Sequence, residues 1–399
     1  MSIDLENQRT WRPDTQAVRG ATVRSQFDET NEAIFLNSGY VYKSAEEAEA
    51  AFKQEIERYV YSRFRNPTVA MFERRLALLE GAEDCRGMAS GMAAVFAALG
   101  SHLSAGDRLV ASRALFGSCQ YICAELLPRY GIETELVDGR DLDEWKRALS
   151  KPANAVFIES PSNPGLEVID IPAVCDLAHK AGALVFVDNV FATPILQKPL
   201  EMGADVIIYS ATKHIDGQGR CLGGAVLGTK EFIEETVTPF IRHTGPSLSP
   251  FNAWVLLKGL ETLALRVDRH CQSALKVAQF LETKGGISKL LYPGLQSHPQ
   301  HDLAMRQMSQ GGTVVALELE GGRERAFAFL NALKVIDISN NLGDAKSLIC
   351  HPATTTHRQL NTDELAAAGV SEDLVRISVG IENIEDIIAD ISQALDHIA

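Results

Sequence analysis

The sequence has 399 residues, of which 46% are hydrophobic and 23% charged, a balance that fits two globular domains of unequal size. Its 38 Lys and Arg stand against 52 Asp and Glu, a net charge of -14, which argues against nucleic acid or an anionic membrane as partner. No run approaches about 18 apolar residues, the start lacks a leader pattern, and the seven cysteines are never spaced as Cys-x-x-Cys, so a cytoplasmic protein with reduced thiols and no metal site is expected.

Residues 1–60 have no sheet-like pattern, although Ala45 to Tyr59 reads as an amphipathic helix. An ordered arm of that length needs a surface to lie on, which points to a neighbouring subunit. Tyr61 and Arg63 follow on an extended stretch, and Asn66-Pro67-Thr68 then caps a helix over Val69 to Glu80. Arg63 suits a phosphate dianion or, equally, a surface ion pair. Ser90-Gly91-Met92 opens a small-residue helix, where exposed N–H groups either bind an anion or merely cap.

A βαβ rhythm continues through strands at Asp107 to Ser112, Glu133 to Val137 and Ala155 to Glu159, with helices at Leu142 to Ser150 and Ile171 to Ala181. This is the pattern of an α/β fold built on a parallel sheet. Phe116, in the loop after the first of these strands, either stacks on a flat ligand or packs in the core. Asn163, in a Ser-Asn-Pro loop, either presents an amide or simply turns the chain. Strand Ala183 to Val187 ends in Asp188, and strand Val206 to Tyr209 ends in Ser210-Ala211-Thr212-Lys213. Ligands of open α/β sheets bind at such carboxyl edges. A lone lysine there is most often a solvated loop residue, but an acid and a lysine at adjacent strand ends supply what pyridoxal phosphate needs, a Schiff-base amine and a carboxylate for the ring nitrogen.

The large domain is expected to span 61–259. A long helix over Leu256 to Lys284 leads into a smaller α+β domain at 260–399, with strands at Thr313 to Leu317, Val335 to Ile338 and Val375 to Val379. Arg376 alternates with Val375 and Ile377, so it is either a buried arginine in need of an anion or an edge residue facing water.

Taken together, Tyr61-Ser62-Arg63 with Asn66-Pro67-Thr68, Ala89-Ser90-Gly91-Met92, Glu159-Ser160-Pro161-Ser162-Asn163-Pro164, Val187-Asp188-Asn189-Val190, Tyr209-Ser210-Ala211-Thr212-Lys213-His214 and Arg376-Ile377-Ser378-Val379-Gly380 resemble, in order, the Cys/Met-metabolism family of pyridoxal-phosphate enzymes. The resemblance covers nearly the whole chain. It implies the fold-type I transferase architecture, with a mainly parallel seven-stranded sheet in the large domain. Lys213 would then bond to pyridoxal 5'-phosphate, Asp188 would pair with its ring nitrogen, and Gly91, Met92, Ser210 and Thr212 would hold its phosphate. Tyr61 and Arg63 would reach the phosphate of a neighbouring subunit in a homotetramer built as a dimer of dimers. Phe116 would stack on the ring where many members have tyrosine, and Asn163 would touch the ring hydroxyl. Arg376 and the Ser347 backbone would grip the substrate carboxylate, and Lys213, with Tyr61, would carry the proton transfers.

Gly343-Asp344-Ala345-Lys346-Ser347-Leu348 and Thr354-Thr355-Thr356-His357 are most similar to the branch that acts on O-succinylhomoserine and sulfide. The resemblance thus implies γ-replacement of O-acyl-homoserine by sulfide, giving homocysteine for methionine biosynthesis. Arg113, Arg358 and Lys346 are the candidate cations for a succinyl carboxylate. The alternatives, cystathionine γ-synthase, with cysteine as nucleophile, and methionine γ-lyase, share every catalytic residue named. A cofactor-binding protein without turnover is disfavoured, since binding alone requires no acid at the ring nitrogen.

Overall fold

The computed structural model describes residues 5–398 and contains two β-sheets. The first is seven-stranded, formed by β1 (Asp84–Met88), β2 (Arg108–Ser112), β3 (Glu133–Val137), β4 (Ala155–Glu159), β5 (Leu184–Asp188), β6 (Val206–Tyr209) and β7 (Gly224–Gly228). Their order is β1-β7-β6-β5-β4-β2-β3. Only β7 runs against the rest, pairing antiparallel with both β1 and β6. The second sheet, order β10-β11-β12-β9-β8, comprises β8 (Ile287–Leu291), β9 (Val314–Leu319), β10 (Asp337–Ile338), β11 (Leu348–Cys350) and β12 (Leu374–Ser378).

Alternation along the central strands explains why the first sheet is buried on both faces. Val156, Ile158, Val185 and Val187 pack into one apolar cluster, while Ala155, Phe157 and Phe186 pack into another across the sheet. Side chains of period two that are apolar on both sides give the continuous hydrophobic runs seen in the sequence. Helices cover each face. In the helix Pro67–Glu80, the Asn66 side chain accepts from the Thr68 N–H at 2.9 Å, and Gly81 ends the helix in the left-handed region at φ +88°.

Several expected elements differ. The single helix expected over Leu256 to Lys284 is two, Pro250–Leu260 and Leu263–Glu282. The break follows from crowding: a Cβ at Gly259 would lie 2.2 Å from the Ile215 carbonyl, so the first helix is pressed against the loop beyond Lys213. Arg266, from the second helix, then donates to the Gly259 carbonyl at 2.7 Å and to the His214 carbonyl at 2.6 Å, joining that helix end to the same loop. The helix expected over Ala45 to Tyr59 stops at Phe52.

The segment before Phe35 is tied to the body of its own chain. Arg75, fully buried, donates to the Gly20 carbonyl at 2.7 Å and to the Thr22 hydroxyl at 3.0 Å, and it pairs with Glu32. Lys258 meets Glu32 at 3.0 Å. Beyond that root, Leu36, Val41 and Phe52 are exposed. Among the described residues, no helix is long and apolar enough to cross a membrane, no group of His, Cys, Asp and Glu suits a metal, and the cysteines are unpaired.

Candidate active site

The carboxyl ends of β4, β5 and β6 lie side by side, in a register that sets Glu159 beside Asp188 and Asp188 beside Ile208. Past β6 the chain turns tightly, with the Lys213 N–H donated to the Ser210 carbonyl at 3.2 Å and the Gly217 N–H to the Lys213 carbonyl at 2.8 Å. The Lys213 Nζ donates to Asn341 Oδ1 at 2.7 Å, and Asn341 lies between β10 and β11 of the second sheet. Burial, and then the charge of Arg376, bring the Lys213 pKa down to about 8. The adjoining His214 adds no charge, because burial and the nearby His270 and Arg266 hold it at about 3.

Asp188 is buried, and its Oδ1 accepts from the Val190 N–H at 3.0 Å. Burial raises its pKa, as expected for a carboxyl that lacks a facing cation.

The start of the helix Gly91–His102 packs against Ser210, three residues before Lys213. Ser90 caps the helix Gly91–His102, its hydroxyl accepting from the Ala93 N–H at 3.2 Å. A Cβ at Gly91 would fall 2.5 Å from Ser210 Cβ and 2.7 Å from Ser210 Oγ, so only glycine lets the helix start come this close to the Ser210 hydroxyl. Gly91, Met92 and Ser210 therefore converge at the positive end of the helix dipole. The Thr212 hydroxyl sits at the same turn, accepting from the Gly223 N–H at 3.1 Å.

On the opposite wall, Arg376 of β12 is 1% exposed, which resolves the alternatives left by its strand spacing in favour of burial. It donates to Asn163 Oδ1 at 2.8 Å and to the carbonyls of Asn340 and Asn341 at 2.9 and 3.1 Å. These acceptors are neutral, and its Nε has no partner among the described residues. A buried guanidinium held only by neutral oxygens is a site for an anion.

Phe116 and Asn163 stand where the strand-end loops place them, each with its backbone N–H on the Glu159 carboxylate. Tyr61 and Arg63 do not join the cluster within one chain. Tyr61 is exposed and pairs with Gly39, while Arg63 lies against Phe64 and donates to the Arg242 carbonyl.

Ser347 donates its N–H to Glu382 Oε1 at 2.6 Å and its hydroxyl to Glu382 Oε2 at 2.9 Å. Closer to the lysine is Asn341, whose side-chain oxygen accepts from Lys213 and whose carbonyl accepts from Arg376. Sequence reasoning missed it, although the signal was near: the glycine two residues on, Gly343, packs so tightly on His214 that a Cβ there would lie 2.7 Å from the His214 nitrogen. Of the candidate cations for a succinyl group, Arg113 pairs with Asp138 at 2.8 Å, Lys346 pairs with Asp344 at 3.3 Å, and Arg358 is exposed.

A buried acid, a depressed lysine, a helix-end cradle and an anion-seeking arginine around one cleft fit the donor set of pyridoxal phosphate bound with an amino acid. Fold and site thus define a pyridoxal-phosphate enzyme of the α/β class. The family model described as Cys/Met metabolism PLP-dependent enzyme matches residues 14–396, and the chain belongs to that family.

It is 58% identical over 385 residues to an O-succinylhomoserine sulfhydrylase from Mycobacterium tuberculosis, an alignment covering 96% of this chain and 95% of that one. It is 47% identical over 382 residues to an O-succinylhomoserine sulfhydrylase from Pseudomonas aeruginosa, covering 96% and 94%. Among solved structures, a Campylobacter jejuni protein provisionally assigned as an O-acetylhomoserine (thiol)-lyase superposes with a TM-score of 0.92 at 34% identity, covering 97% of this chain and 100% of that one; it contains N'-pyridoxyl-lysine-5'-monophosphate. The fold is that of the fold-type I enzymes, and the cofactor is pyridoxal 5'-phosphate.

Proposed function

We propose that this chain replaces the γ-acyloxy group of O-succinylhomoserine by sulfide, releasing homocysteine and succinate. The observation that carries the reading is that Asp188 and Lys213 follow adjacent strands, β5 and β6, while the buried Arg376 is linked to Lys213 through Asn341. Identity of 58% and 47% to proteins named for this reaction supports the choice of donor and nucleophile.

Asp188 and Lys213 hold the cofactor ring, while Gly91, Met92, Ser210 and Thr212 hold its phosphate. When bound, the cofactor supplies an electron sink that makes the Cα and Cβ protons of an amino acid removable. Asp188 keeps the ring nitrogen protonated. Arg376 binds the substrate α-carboxylate, with Asn341 beside it. The freed Lys213 amine takes up the Cα proton and, after relaying it away, a Cβ proton, whose loss lets the γ-acyloxy group depart; both carbons regain a proton once sulfide has added. A pKa of about 8 leaves enough of the amine neutral to act as base near neutral pH. The Cγ–O bond breaks with loss of succinate, and a Cγ–S bond forms with sulfide. Phe116 covers the ring without a hydroxyl, so it serves as a stacking surface and takes no part in moving protons.

The protein is proposed to work in the cytoplasm as a homotetramer in which Tyr61 and Arg63 reach the phosphate of a neighbouring subunit. The exposure of both residues, and of Leu36, Val41 and Phe52 before them, supports this. The proposed domain division is 61–259 and 260–399; the break between the helices Pro250–Leu260 and Leu263–Glu282 supports it.

The test is product formation by the cofactor-loaded protein given O-succinylhomoserine with sulfide or with cysteine in separate reactions. Homocysteine from the first and little cystathionine from the second is the expected result. Dominant cystathionine, or α-ketobutyrate without either thioether or thiol product, would overturn it.

A further inference from the structure

Glu159 is a buried carboxyl residue at the strand ends to which the reaction above gives no task. It closes β4, is 4% exposed, and stands in register with Asp188 on β5. Its Oε2 accepts from the Phe116 N–H at 2.7 Å and its Oε1 from the Asn163 N–H at 2.9 Å. Phe116 and Asn163 belong to different loops, one after β2 and the other after β4, and β2 and β4 are sheet neighbours. Asn163 in turn receives Arg376 on its side-chain oxygen at 2.8 Å. One side chain is therefore the common fixed point of the residue facing the ring, the residue at its edge and, through the latter, the arginine opposite.

The chemistry of the contact is specific to a carboxylate. Two backbone donors converge on two oxygens, and neither oxygen can be exchanged for an N–H without setting donor against donor. A residue one methylene shorter reaches one loop but not both.

We propose that Glu159 is a positioning residue for the bound cofactor, fixing the distance between the Phe116 loop and the Asn163 loop and thereby the tilt of the ring against Asp188. The inference rests on the cofactor site described above, but not on which nucleophile the enzyme uses.

Glu159→Gln and Glu159→Asp, prepared as full-length protein and loaded with pyridoxal 5'-phosphate, test it. The readouts are circular dichroism in the cofactor's visible band, the cofactor dissociation constant, the thermal midpoint, and kcat and KM for O-succinylhomoserine with sulfide. Expected for Glu159→Gln are a visible dichroic band that is lost or inverted, cofactor affinity weakened on the order of tenfold, and kcat lowered by at least about tenfold with KM within about threefold. Glu159→Asp, which keeps the carboxyl group, should fall between it and the parent.

A parent-like dichroic band and cofactor affinity in folded Glu159→Gln would overturn the proposal. If the glutamine variant does not fold, Glu159→Asp decides on the same readouts; failure of both to fold would make Glu159 a structural residue and likewise overturn it. A parent that shows the band yet makes no homocysteine refutes the reaction alone, because the dichroic comparison still stands. A parent that captures no cofactor refutes both.

Discussion

Lys213 permits the most direct test of how burial tunes this site. With a pKa of about 8 in place of 10.5, roughly 9% of the amine is neutral at pH 7, against ~0.03% for an ordinary lysine, a ratio of about 300 worth ~3 kcal/mol. Only the neutral amine attacks a carbonyl carbon. Rapid mixing of cofactor-free protein with pyridoxal 5'-phosphate, followed in the visible band from pH 6.5 to 9.5, should show a rate rising about tenfold per pH unit and levelling near pH 8. Running Nα-acetyl-lysine alongside removes the cofactor's own titration, and the model amine should keep rising throughout. Arg376→Gln deletes the nearby positive charge but not the burial, so the bend should move to higher pH. A protein rate that climbs in parallel with the model amine to pH 9.5 would show Lys213 to be an ordinary lysine and refute the reasoning.

Four further outcomes are expected. Because the folded pKa of Lys213 lies below its unfolded value, the unfolded chain binds the extra proton between about 8 and 10.5, and stability from this residue rises across that window. Cofactor-free Lys213→Met should accordingly exceed the parent in urea denaturation at pH 7 by roughly 2–3 kcal/mol, with the gap closing toward pH 10.5. Asp188→Asn should retain cofactor through Lys213 while kcat falls by about 10²- to 10³-fold, read by steady-state assay with the visible spectrum. Arg376→Lys, losing the planar fork, should raise KM for the amino-acid substrate by about tenfold, whereas Ser347→Ala should change it less than about twofold; equal effects would return the carboxylate site to Ser347. Gly91→Ala, which forces a Cβ to 2.5 Å from Ser210 Cβ, should lower stability by about 1–3 kcal/mol in denaturant titration and weaken cofactor binding.

Much of the sheet could be read directly because its central strands are buried on both faces. Val185 to Val187 and Val206 to Tyr209 declare themselves as unbroken apolar runs, and the polar residue that ends each, Asp188 or Ser210, marks the ligand edge. β1 was illegible for the converse reason. Its residues are Asp84-Cys85-Arg86-Gly87-Met88, and what keeps an arginine in a strand there is a pair with Asp84 at 2.9 Å that no periodicity announces. Where the long helix breaks, the apolar pattern runs on from Leu260 to Leu263, and the cause lies in a contact with Ile215 far away in sequence. Ser347 and Asn341 show the same limit within the site. Both lie in one polar loop, and only the fold reveals that Glu382 occupies the first while the second faces Lys213.

The bond from Lys213 to Asn341 has a consequence for motion. It links a turn at the edge of the first sheet to a loop of the second, using the same nitrogen that the cofactor requires. One nitrogen thus bears on both walls, and a change in its bonding is felt by the loop that carries Asn341 as well as by the turn that carries Lys213.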